Sequence, residues 1–390
     1  MHMPRAFAVT ASLALLAAGA SPAAGAPVTG VPGVVRVPGV VGVSNCLHVP
    51  RAPHPATLTS RAPRRLRVHL VTTGLEVPWG IVFLPDGDAL VSTRDPRNII
   101  EVRPGGRKRF VKHVRAAHTN VSQGGEGGLL GLALSPHFRT DHWVYAYYST
   151  YRDNRIARMR WHNGHLGGTH VILSGIPHGV HHNGGRIAFG PGGMLFATTG
   201  ESGNPSLAQD KRSLGGKILR MTPTGRPAPG NPFPHSVVWT YGHRNVEGLA
   251  WDRTHRLWAT EFGNHRFDEL NWIRRGRDYG WPLVEGRSRR FTNPVITWPT
   301  ESAGPSGISI WPKPGGGIAW IGGVTGQRLF RVVLRNGRVI GRHAYLQGQI
   351  GRIRSTAISP HGWLWFTTSN RDGRATPRRG DDKIFRIKLQ

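Results

Sequence analysis

One pattern occurs six times along this chain and leaves few folds open to it: an apolar strand, a turn, and a second strand ending in a cluster of Thr, Ser or Gly. The copies begin at Gly80, Gly131, Arg186, Gly248, Gly307 and Thr356, and their second strands end at Ser92-Thr93, Tyr148-Ser149, Thr198-Thr199, Ala259-Thr260, Gly322-Gly323 and Thr367-Thr368. Their spacing, roughly fifty to sixty residues, is that of a propeller-type repeat. Each copy alternates apolar positions that a single sheet cannot bury, whereas sheets set radially cover each other's faces. A sandwich with irregular hairpins is the competing all-β arrangement. The 53 Gly, 30 Pro and 13 Trp argue against a helical bundle. The reading is all-β, a six-bladed β-propeller, with loops from distant repeats converging at one end of a central channel.

Upstream of the repeats, Arg5 precedes a largely apolar run from Ala6 to Ala18, followed by small residues at Ala18-Gly19-Ala20 and Ala24-Gly25-Ala26. This is the layout of a secretory signal peptide over residues 1–26, too short for a membrane span, so the expected location is secreted or extracytoplasmic. Residues 27–65 repeat Val-Pro-Gly and then turn rich in Pro and Arg, a composition that breaks helix and sheet and reads as a disordered spacer. The propeller is expected over 66–390. No later stretch has the length and apolarity of a transmembrane segment. The single cysteine, Cys46, excludes an internal disulfide and any cysteine-rich metal site.

Formal net charge is +30, carried almost wholly by arginine. Such a field attracts polyanions in general. The arginines are spread without a basic helix, zinc-knuckle spacing or RNA-binding signature, so no specific nucleic-acid partner is read.

Several polar constellations sit just before a repeat or at its second-strand end. His181-His182-Asn183-Gly184-Gly185-Arg186 leads into the third copy, and a histidine on a glycine-flanked loop suits general-base work around neutral pH. Gly242-His243-Arg244-Asn245 precedes the fourth, offering a planar fork and an amide to carboxylate or quinone oxygen. Gly351-Arg352-Ile353-Arg354 precedes the sixth; two arginines at i and i+2 of an extended segment point the same way and clamp carboxylates. Glu126 lies in a glycine-rich run, 124–131, that enters a strand rather than a helix, so the helix-terminus route to phosphate binding is missing. Glu261-Phe262-Gly263-Asn264, Phe267-Asp268-Glu269-Leu270-Asn271 and Asp278-Tyr279-Gly280-Trp281-Pro282 bring carboxylates and turn carbonyls, the oxygen ligands of a hard cation. On their own, Asp268 and Glu269 read as solvated loop charges.

In this order, from about Leu66 to the C-terminus, these motifs closely resemble the soluble quinoprotein sugar dehydrogenases, the pyrroloquinoline quinone (PQQ) dependent glucose/sorbosone dehydrogenase family. The resemblance implies PQQ and calcium as cofactors, an aldose or related sugar as substrate and an unknown electron acceptor. It maps the base onto His182, which removes the proton of the sugar's C1 hydroxyl while hydride passes from C1 to the quinone. Arg244 then stabilises charge on the quinone oxygen, and Asn245, Arg352 and Arg354 hold the cofactor, with Glu126 a substrate or cofactor contact. Backbone carbonyls of Gly263 and Asn264 map to the calcium that also binds the quinone, Asn264 replacing the commoner Pro. Glu269, the Tyr279 carbonyl and Glu285 resemble a second, structural calcium site. Two departures stand out: His181, where an acidic residue can occur beside the base, and Val324, where some relatives supply a lysine to the quinone. They leave open a noncatalytic propeller that binds carbohydrate or protein. A calcium-dependent propeller lactonase is a further alternative, but it needs carboxylate and Asn side chains converging on the channel metal.

Overall fold

The computed structural model describes residues 65–389. The expected leader over 1–26, nearly all of the spacer over 27–65, and Cys46 lie outside the described residues. Described residues form six antiparallel sheets, five of four strands and one of five, set in a ring. The first blade runs through Pro78–Phe83, Ala89–Thr93, Asn98–Val102 and Lys108–His113, each strand pairing with the next. Blades two to five repeat that order with inner strands Leu129–Leu134, Ile187–Phe189, Asn245–Trp251 and Pro305–Lys313. In the sixth, Ile353–Ile358, Trp363–Thr368 and Ile384–Lys388 come from the end of the chain. Its outermost strand is His69–Thr72, from the beginning, with His69 opposite Arg386 and Leu70 opposite Phe385. That shared sheet closes the ring. Among the described residues no helix is long and apolar enough to cross a membrane.

Period-two alternation explains why six sheets pack this way. In Leu257-Trp258-Ala259, Leu257 and Ala259 enter the core shared with the third blade, while Trp258 enters the core shared with the fifth. Likewise Leu129 and Leu132 face the first blade, whereas Leu130 and Ala133 face the third. An apolar cluster fills every seam, so each sheet has a face uncovered if either neighbour is lost.

The glycines and hydroxyls that mark the repeats have a direct role at these seams. A side chain on Gly131 would lie 2.2 Å from the Gly185 carbonyl oxygen, and one on Gly80 would lie 2.7 Å from that of Leu130, so neighbouring inner strands meet backbone to backbone. Second-strand hydroxyls tie the same junctions: Ser92 Oγ donates to the Leu130 carbonyl at 2.5 Å, Thr260 Oγ1 to that of Ser306 at 2.5 Å, and Thr367 Oγ1 to that of Pro78 at 3.3 Å. Inner strands start, and second strands finish, at the same end of the channel. Polar loops from all six blades therefore meet there.

Trp365 fills the seam between the sixth and first blades, 1% exposed and edge-on to Phe83 at 5.1 Å. Trp365→Ala is expected to lower unfolding free energy by about 3–5 kcal/mol, measured by urea titration. A loss below about 1 kcal/mol would show that this seam does not hold the ring closed.

Candidate functional site

His182 sits at the entry of the third blade in a left-handed conformation, φ 56°. Its carbonyl faces Gly200, where a side chain would come within 1.8 Å, so the second-strand end can pass behind the histidine only as glycine. The next residue, Glu201, is buried, and its Oε1 hydrogen-bonds Nδ1 of His182. Nε2 has no partner among the described residues. The carboxylate behind this histidine thus comes from the strand end of its own blade; His181 is exposed and beside Arg374 instead. Glu126, at the entry of the second blade, accepts from the His182 backbone N–H through Oε2 at 2.9 Å.

Facing this histidine from the opposite blade are Arg352 and Arg354. Both are nearly buried, and both reach one oxygen of Asp372, at 3.0 Å and 3.5 Å. Arg354 also pairs with Glu247 at 2.9 Å, and Glu247 in turn receives Ser306 Oγ at 2.9 Å and Asn245 Nδ2 at 3.2 Å. Asn245 Oδ1 accepts from Gly184 N–H, two residues after His182. Burial alone would lower the Arg354 pKa, but Glu247, Asp372 and Glu126 outweigh it and raise it. Arg244 donates through Nη2 to Asn264 Oδ1 at 3.1 Å and lies 5.4 Å from the centre of the Trp281 ring. Below them Arg186, stacked 4.2 Å over Trp79, donates to the Glu247 carbonyl and to Ser355 Oγ. Val324 is buried, and it offers Arg352 a backbone carbonyl at 3.4 Å rather than a charged side chain.

Three buried polar atoms in this cluster lack hydrogen-bond partners: Arg244 Nε, Arg354 Nε and Glu201 Oε2. Leaving such groups unsatisfied costs about 1–3 kcal/mol each. Two are guanidinium donors on the arginines that the resemblance assigns to an anionic cofactor. That donor set fits PQQ.

The cation-binding expectations fall on the fourth blade. Glu261 and Glu269 lie directly opposite each other on adjacent strands, Leu257–Phe262 and Phe267–Ile273, and both are buried. Burial, then the neighbouring Glu261, push Glu269 up to about 8; burial pushes Asp268 up to about 6. Neither Asp268 nor Glu269 is a solvated loop charge: Asp268 accepts from Gly263 and Gly304 N–H, fixing the Gly263 turn. The long segment 274–295 brings Tyr279, Trp281 and Glu285 against this turn. A void of about 10 Å3 is lined by residues that include Gly242, Glu261, Gly263, Glu269, Tyr279 and Glu285. It is the size of one water or one ion. Glu285 Oε1 already accepts N–H groups of residues 264–267, which holds its carboxyl below the usual range against the opposing effect of burial. Among the described residues no three His, Cys, Asp or Glu side chains cluster as metal ligands, so a cation here needs carbonyl oxygens beside Glu261 and Glu269. Two opposed carboxylates with turn carbonyls fit a hard cation.

Sequence reading missed Glu201, Glu247 and Asp372, and it placed Glu261 in the cation motif without its bond to the Arg244 N–H. Glu201 lies just past the Thr198-Thr199 strand end, a position that marks it. Glu247 and Asp372 carry no local mark.

The glucose / sorbosone dehydrogenase family model matches residues 75–377. The PQQ-bound aldose sugar dehydrogenase from Streptomyces coelicolor is 48% identical and superposes with a TM-score of 0.79, covering 84% of this chain and 99% of that one. The aldose sugar dehydrogenase YliI of Escherichia coli is 26% identical over 80% of this chain and 92% of its own length. Quinoprotein glucose dehydrogenase B of Acinetobacter calcoaceticus is 27% identical over 56% of this chain and 52% of its own.

A raised carboxyl pKa in the folded state makes the folded protein hold a proton that the unfolded chain releases. For Glu269 this predicts that metal-free protein loses thermal stability as pH climbs from about 4.5 to about 8. Glu269→Gln should flatten that slope, and calcium at pH 8 should raise the melting temperature of the wild type but much less that of the variant. An equal pH slope in the variant would show that Glu269 does not titrate as described.

Proposed function

We propose, since this chain belongs to the glucose / sorbosone dehydrogenase family, that it oxidises an aldose or related sugar at C1 using PQQ and calcium, with His182 as the general base. One observation carries this reading: an imidazole fixed through Nδ1 by buried Glu201, leaving Nε2 as its working nitrogen in the same loop cluster as Arg244, Arg352 and Arg354.

His182 takes the proton of the C1 hydroxyl at Nε2, and Glu201 stabilises the imidazolium that results. Asp372 and Glu247 hold Arg352 and Arg354 with their side chains preset, so the pair binds carboxylates without first ordering two long chains. Asn245 and Arg244 complete the cradle, while Gly263 and Asn264 carbonyls would hold calcium. PQQ, when bound, supplies the quinone that accepts hydride from C1. Arg244 places positive charge where negative charge grows. Glu269 and the Tyr279 carbonyl, with Glu285 closing the void, would hold a second, structural calcium. The absence of a lysine at Val324 leaves the cradle one ionic contact lighter. The propeller starts near Leu66, and the leader read over 1–26 with the spacer over 27–65 supports a secreted or extracytoplasmic site for this chemistry.

The test is reduction of an artificial dye by protein loaded with PQQ and calcium and offered aldoses. His182→Ala should lower the rate by roughly 10²–10⁴ while keeping PQQ affinity; Arg354→Met should weaken PQQ binding, seen by tryptophan quenching. Near-wild-type turnover in His182→Ala would remove the histidine from the chemistry. Sugar binding without PQQ affinity would identify a noncatalytic carbohydrate binder.

A further inference from the structure

One arginine of the loop cluster is used neither by the cofactor cradle nor by the seams. Arg374 belongs to the sixth blade, in the loop between Trp363–Thr368 and Ile384–Lys388. In a ring of six, that blade stands opposite the third, yet Arg374 Nη2 reaches Glu126 Oε1 at 3.1 Å and His181 Nδ1 at 3.5 Å. Glu126 also accepts from the His182 N–H. The guanidinium therefore spans the mouth and lies one residue contact from the base. Its side chain is 34% exposed, and its Nε and Nη1 have no partner among the described residues.

The loop segments around it carry one sign of charge. Residues 369–383 contain Arg371, Arg374, Arg378, Arg379 and Lys383, and their three carboxylates are all buried and engaged: Asp372 by Arg352 and Arg354, Asp381 by Lys383, and Asp382 by the N–H groups of Asn370 and Val77. Residues 177–186 contain no acid, and in 114–128 the one acid is Glu126, already paired. Arg378 anchors the loop by donating to the carbonyls of Gln349 and Gly348, so Arg374 projects from a fastened support. Resting on the aldose-oxidation reading, we propose that Arg374 is a specificity-determining residue that makes aldoses carrying an anionic group, carboxylate or phosphate, the preferred substrates. Nη2 keeps Glu126 and His181, while the Nη1 half of the guanidinium is free to donate to the anion. A neutral sugar leaves that half without a charged partner.

The experiment uses protein loaded with PQQ and calcium, and pairs galacturonate with galactose and glucose 6-phosphate with glucose. Dye reduction gives kcat/KM, and calorimetry gives Kd independently of turnover. At least one anionic sugar should exceed its neutral counterpart by about tenfold or more in both quantities. Which pair does so tells carboxylate from phosphate. Arg374→Gln should bring the ratio close to one, and Arg374→Lys, which keeps the charge without the fork, should leave an intermediate ratio. Equal or better use of both neutral sugars, or an unchanged ratio in Arg374→Gln, would overturn the proposal. Failure to oxidise any sugar would count against aldose oxidation itself, and the calorimetric ratio would still decide the role of Arg374.

Discussion

The structure depends on sheets that are apolar on both faces. A sheet with Leu257 on one side and Trp258 on the other cannot stand alone in water, and a ring is the arrangement in which six such sheets leave no face uncovered. Closure then requires the two ends of the domain to share a blade, as His69–Thr72 does with Ile384–Lys388. The hydrophobic effect sets this geometry without reference to chemistry. Its by-product is a mouth where strand entries from all six blades lie side by side.

At that mouth the chain concentrates charges that could not be buried singly. Arg352 and Arg354 share Asp372, Arg354 also holds Glu247, and Asn245 links Glu247 to the turn carrying His182. Removing one carboxylate from such a network costs more than the contact it makes, because a buried guanidinium is left without its counter-charge. The network is also incomplete as it stands: Nε of Arg244 and Nε of Arg354 are buried donors without acceptors. A polyanionic ligand would complete it. The same logic runs in reverse on the fourth blade, where Glu261 and Glu269 face each other, His243 Nδ1 and the Arg244 N–H reach Glu261 but not Glu269, and Glu269 is driven toward protonation.

How much was legible in the sequence follows from the range of the forces involved. Alternation and the Gly and Thr/Ser marks at Gly80, Gly131, Ser92 and Thr260 are local, and they set the fold class and the number of blades. Motifs at strand entries, such as Arg244-Asn245 and Arg352-Ile353-Arg354, were visible because both residues of each motif lie together in the chain. Glu247 and Asp372 carry no such local mark: Glu247 meets Arg354 of another blade, 107 residues on, and Asp372 meets Arg352 and Arg354 within the sixth blade, 20 and 18 residues back. Glu201 escaped notice because the support for His182 was sought at the neighbouring position, where His181 stands. Carbonyl ligands, the role proposed for Gly263 and Asn264, leave no side-chain signature at all, so resemblance alone points to them. Asp268 and Glu269 read as surface charges for a related reason: Glu269 is covered by the segment 274–295, whose Gly286 N–H it accepts, and Asp268 by the turns at Gly263 and Gly304.

The central claim is that the channel mouth is a preset cradle for a quinone beside a histidine base. A crystal structure of the protein soaked with PQQ and calcium tests it most directly. The account predicts quinone density against Arg244, Arg352 and Arg354, with His182 Nε2 facing the space next to it. Density at another face of the ring, or a mouth left empty at saturating PQQ, would contradict it.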